Sequence, residues 1–129
     1  MATGFPASTG NVLTAAMFNE LVQYTINTQS GATYTLASTD QYQVLILTSN
    51  ASTKTVSIPT DATTNFGIGT AITILNTGAG DLTISAATPG TTTVTSAGAT
   101  SASPKVGVHK AAVCIKTAAN TWRVVGAVS

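Results

Sequence analysis

The chain has 129 residues, and only 7% of them are charged, where an ordinary soluble domain carries about 25%. A chain of this length is one domain; its net charge of +1 leaves no electrostatic footprint for nucleic acid, and its single Cys114 cannot form an internal disulfide. No apolar run approaches the roughly 20 residues of a membrane-spanning helix, so Thr, Ser, Gly, Ala and Asn supply a neutral polarity that suits packing against copies of itself.

The opening MATGFPASTG lacks the basic and apolar regions of a secretory signal, which predicts synthesis in a cytoplasm. In VLTAAMFNELVQYT, Met17, Phe18, Leu21 and Val22 recur at helical spacing and predict a short helix from Ala15 to Tyr24. Thr14 stands as its N-cap, and Leu13 and Phe18 stand where a hydrophobic staple packs. So short a helix is marginal alone and must dock on something. Residues 1–28 are therefore expected to form an N-terminal arm for attachment or oligomer contact, with Leu13, Met17, Phe18, Leu21 and Val22 as its partner-binding side chains. The alternative is that this helix caps its own domain.

After Thr28 the period changes to two. Strands are predicted at Ala32–Leu36, Tyr42–Ser49, Lys54–Ile58, Thr70–Asn76, Asp81–Ala86, Thr91–Ser96, Ala111–Thr117 and Thr121–Val128, with a short extended piece near Lys105–Val108. In several of them Thr or Ser alternates with Val, Leu or Ile, the pattern of a half-buried strand. Turn residues recur every 8–12 positions, so residues 29–129 are expected to form an all-β domain, an antiparallel sandwich or barrel of jelly-roll type. The run QVLILT departs from the alternation, being apolar on both faces. A neighbouring strand layer or a neighbouring subunit must cover it, which makes Leu45 and Leu47 candidate partner-binding residues.

The candidate chemistry is sparse. NTGAGD could cradle a phosphate, but Gly78 and Gly80 lead into the alternating Leu82-Thr83-Ile84 rather than a helix, so they are expected to turn the chain with positive φ. Asn76 and Asp81 offer too few carboxylates for calcium. Asp61 in PTDATT reads as a turn-former, and Lys105, Lys110, Lys116 and Arg123 read as a scattered solvated face. His109 and Cys114 are too far apart on an extended chain to act as a base–nucleophile pair, and they form no zinc cluster. Cys114 is expected in a core or interface. Trp122 is expected in the core, although with Tyr24, Tyr34 and Tyr42 it could stack sugars. Asn50-Ala51-Ser52 matches a glycosylation sequon, which without secretion has no use.

TVSIPTDATTNFGIGTAITILNTGAGDLTISA resembles a β-segment of bacteriophage tail fibres, appendages and other virion surface proteins. Its marks are Ile58-Pro59 at a strand end, Phe66 and Gly69, the alternating Ile72, Ile74 and Asn76, the paired glycines, and Thr83-Ile84. The closing AAVCIKTAANTWRVVGAV and the opening NVLTAAMFNELV are similar to the ends of such proteins. The resemblance implies a non-enzymatic structural protein of the virion, a homotrimer without cofactor or catalytic residues, bound to capsid or tail components. Without shaft repeats or a separate tip, a capsid cement or decoration role joins the fibre role. The rival classes are a module that binds host surface glycan and a polysaccharide-cleaving enzyme.

Overall fold

The computed structural model describes residues 23–129, together with Ala15; of the predicted helix, residues 16–22 lie outside the described residues, and Gln23 and Tyr24, its expected end, are not helical. Ten strands follow from Thr25: β1 (Thr25–Gln29), β2 (Thr33–Thr35), β3 (Val44–Thr48), β4 (Lys54–Ile58), β5 (Ala71–Asn76), β6 (Leu82–Ala86), β7 (Thr93–Ser96), β8 (Lys105–Val106), β9 (Ala111–Ala118) and β10 (Thr121–Gly126). A single 3-10 turn, Ser38–Gln41, precedes β3. The fold is all-β. Its two mixed sheets run β1-β3-β5-β9-β10-β7 and β2-β4-β6-β8.

From β1 to β6 the chain changes sheet at every step. Neighbours in the same sheet are therefore parallel: β1 with β3 and β5, β2 with β4 and β6. Leu45 lies opposite Thr73 in one sheet and Lys54 opposite Leu82 in the other, a displacement of 28 residues in both (45 to 73, 54 to 82). The second and third turns of this winding are thus stacked in register. Only β5–β9, β9–β10 and β6–β8 are antiparallel among the described strands.

The expected antiparallel arrangement is corrected by this winding. Alternation within a strand records which face is buried, and it is identical for parallel and antiparallel neighbours. The Gly- and Asn-rich stretches that read as hairpin turns instead carry the chain from one sheet to the other.

Every second strand residue points inward. Ile46, Ile74 and Trp122 from the six-stranded sheet meet Val56, Ile58 and Ile84 from the four-stranded one in a single cluster that also takes in Leu36, Phe66 and Val94. Phe66 meets Trp122 edge-on, with ring centroids 5.5 Å apart and planes at 87°. All nine predicted strand pieces coincide with observed strands to within about two residues at each end. The extended piece near Lys105 shrinks to two residues, and β1 was not anticipated at all. β1 straddles residue 28, the expected end of the arm, and Thr25 through Gln29 pair in register with Val44 through Thr48.

Candidate functional site

The glycine loop is held from below by the preceding turn of the winding. Asn50 and Ser52 lie 28 residues before Gly78 and Gly80, the displacement that separates the flanking strands. A Cβ on Gly78 would run into the Asn50 carbonyl, and one on Gly80 into the backbone of Ser52. Neither glycine has positive φ; among described glycines only Gly69 and Gly126 do. The turn reading stands, but its cause is close backbone approach rather than a left-handed conformation. Asn76 completes the loop: its Nδ2 donates to the Gly80 and Val106 carbonyls at 2.9 Å each, and its Oδ1 accepts from the Gly78 N–H at 3.1 Å. The ammonium of buried Lys54 donates to the carbonyls of Asn50 (2.5 Å) and Gly80 (2.8 Å), pinning one turn to the next. Burial lowers the Lys54 pKa, and the Asp81 carboxylate opposes that shift. The Thr77 and Gly78 amides and the Gly80 and Asp81 carbonyls are thus engaged by the protein itself, and the loop leads into strand β6 rather than a helix.

Asp61 is the second point where the structure departs from the expectation. Its carboxylate accepts from Lys116 Nζ at 2.8 Å and from the Asn120 N–H at 3.0 Å, while Asn120 Oδ1 accepts from the Asp61 N–H at 2.8 Å. Lys116 is 1% exposed and also donates to the Phe66 carbonyl (2.6 Å) and Asn65 Oδ1 (3.2 Å). It is therefore no part of a solvated face. All three ammonium donors are used, so this is a clasp joining the 59–70 loop to β9 and the β9–β10 turn. The hydrogen bond from Lys116 holds the Asp61 carboxyl below its ordinary value; burial pushes the other way, and the Asn120 N–H adds to the lowering.

A third polar cluster sits beneath β1. Asp40, 2% exposed, accepts from Tyr34 Oη (2.6 Å), the Ala37 N–H (2.8 Å) and Asn27 Nδ2 (3.0 Å). Asn27 Nδ2 also lies 3.0 Å from Tyr34 Oη. Burial first, and then the Asp40 carboxylate, push the Tyr34 hydroxyl up to about 12. Tyr34 is thus committed to the scaffold rather than to sugar stacking, and so is Trp122 in the core. Tyr42 is half-buried and Tyr24 exposed.

The remaining nucleophile and base are separated by environment. Cys114 is fully buried and its thiol is pushed up to about 12 by burial, which makes it inert. His109 is exposed in the turn before β9, where its backbone N–H donates to the Asn76 carbonyl at 2.7 Å. Among the described residues no group of three or more His, Cys, Asp or Glu side chains could hold a metal ion.

What distinguishes the molecule is the contrast between the outward faces of its two sheets. On the four-stranded sheet, Thr33, Thr55 and Thr83 form one cross-strand row and Thr35, Ser57 and Ser85 the next. On the six-stranded sheet the corresponding rows are Ile26, Leu45, Thr73, Val113, Val125 and then Thr28, Leu47, Leu75, Ala111. Leu45 and Leu47 stand on β3, next to the edge strand β1, half-buried, while Ile26 and Val125 at the rims of this apolar face are 58% and 49% exposed. The sequence signalled two of these residues through the unbroken run QVLILT. It did not show that Leu75, Val113 and Ile115 share their face, because only the register brings them together. Leu13, Met17, Phe18, Leu21 and Val22 lie outside the described residues. No family model matches the chain, and no curated protein or solved structure matches it either.

Proposed function

We propose that the protein is a non-enzymatic structural component of a bacteriophage particle, a small homotrimeric surface module of the fibre, appendage or capsid-decoration kind. The finer architecture belongs to this reading: the two sheets act as the layers of a sandwich around one core, and the N-terminal segment attaches the module to capsid or tail components.

One observation carries the reading. Among the outward strand positions of both sheets the only charges are Lys105 and Arg123; Lys54 and Lys116 point inward and are spent on backbone carbonyls and Asp61. A dispersed monomer relies on a charged surface, and this one presents hydroxyl rows on one side and an apolar sheet on the other. Such a surface suits a place among repeated neighbours. The polar clusters point the same way, since each is consumed in holding loops and edges.

The direct test is location. Antibody-labelled electron microscopy of purified virus particles is expected to show the protein at regularly repeated surface positions. Its absence from washed particles would overturn the reading.

A further inference from the structure

The six-stranded sheet has an outward face built to be covered, and the four-stranded sheet supplies the internal comparison. Both carry residues of strand type at the same alternating positions, yet the four-stranded sheet bears Thr and Ser where the six-stranded one bears mostly Leu, Val and Ile, with Thr28 and Thr73 among them. The apolar face spans β1, β3, β5, β9 and β10, roughly 20 Å at about 4.8 Å per strand, and roughly 15 Å along them. That is a planar area of roughly 300 Å2, small beside the ~800 Å2 per partner that a stable protein–protein interface buries. One helix of about ten residues, about 15 Å long and about 10 Å wide, matches the length of this face along the strands and about half of its width.

We infer that the occupant is this chain's own segment Leu13–Val22. It joins the sheet at the right place: only Gln23 and Tyr24 separate it from β1, the edge strand beside Leu45 and Leu47. Helix-to-strand connections of about two to six residues are common, so the segment can fold directly back over that face. Its composition is complementary. At helical spacing Leu13, Met17, Phe18, Leu21 and Val22 fall on one side, and Asn19, Glu20 and Gln23 on the other. Docking covers the centre of the sheet and leaves residues 1–12 as the stretch available for attachment. The docking itself does not depend on the virion reading.

Thiol labelling of the intact chain tests this, because native Cys114 is buried and unreactive. Leu47→Cys reports the apolar face, and Thr83→Cys, also half-buried, reports the hydroxyl face. Leu47→Cys is expected to label at least tenfold more slowly than Thr83→Cys at every protein concentration. Adding Phe18→Asp to Leu47→Cys is expected to restore the fast rate without lowering the Thr83→Cys rate. Equal rates at the two positions would overturn the inference, as would protection that Phe18→Asp leaves intact. Protection that disappears on dilution would overturn it in favour of a second copy of the chain. Where Phe18→Asp prevents folding, Phe18→Ala and Leu47→Ala replace it. Their shifts in urea midpoint are expected to be less than additive in the double variant, and strict additivity overturns the docking.

Discussion

Lys116 and Gly80 show how much a single residue's role here depends on a partner distant in sequence. Lys116 is buried against Asp61, 55 residues away. Removing one member of a buried pair costs about 3–5 kcal/mol because the other stays charged and desolvated. Asp61 is 21% exposed, which puts Asp61→Ala towards the lower end of that range, with Lys116→Met milder because water can reach the remaining carboxylate. Urea unfolding of both variants checks the order. The pH dependence follows from the direction of the shift. The folded Asp61 carboxyl lies below its ordinary 3.8, so its contribution is complete above that value and is lost as pH falls through the folded value beneath it. Asp61→Asn should remove this acid limb of the stability curve. At Gly80 a methyl group meets the Ser52 backbone, which has little room to yield, so Gly80→Ala is expected to cost about 1–3 kcal/mol through overpacking. Asp81→Ala should change stability little, and added calcium should leave the Tm unmoved. A calcium-dependent rise in Tm that Asp81→Ala abolishes would show a metal loop instead. None of these partners was legible in the sequence, since Ser52 and Gly80 meet only through the 28-residue winding.

Among the elements, the strands were legible where one face is apolar. β4 occupies the predicted residues, and β5 and β6 begin within one residue of them, because β-branched residues alternate cleanly there. β1 was hidden by its inverted pattern: in TINTQ the apolar Ile26 points out, and the half-buried Asn27 and Gln29 point in. Besides its pairing with β3, this edge strand is held by the Asp40 cluster, through Asn27. Tyr34→Phe removes a donor from a buried carboxylate and should cost about 1.5–3 kcal/mol, the range for a hydrogen bond to a charged group. It should also change the alkaline limb. Tyr34 rises from an ordinary 10.0 to about 12 in the folded chain, so its contribution is full below pH 10.0 and is lost as pH rises through about 12. The stability difference between the native protein and Tyr34→Phe should therefore shrink over that window. A constant difference would detach Tyr34 from the cluster. Amide exchange should show β1 loosening before β3 in the variant.

For the whole molecule, the winding from sheet to sheet makes two unlike surfaces from one repeating strand pattern. Sheets rich in parallel strands are ordinarily covered on both faces, and only the six-stranded sheet carries a largely apolar outward face that calls for such cover. Tyr24 and Ile26 are 58% exposed along one rim of that face and Val125 49% exposed at the other. Those rims, with the open edges of β1 and β7, are where copies of the chain can meet. Contacts made there are apolar or between backbones, with Arg123 the single nearby outward charge on the strands of that sheet. Screening shortens the reach of charge–charge interactions to about 8 Å at physiological ionic strength and leaves apolar burial untouched. The protein is therefore expected to sediment and scatter light as a trimer at micromolar concentration, with a mass that does not fall between low salt and molar salt. Ile26→Glu places a charge on the edge strand, where its side chain gives up no core packing, and should shift the assembly towards monomer without lowering the monomer's own stability. A monomer mass for the unmodified chain under these conditions, without aggregation, would remove the trimer from the reading and leave the rims to a different partner on the particle.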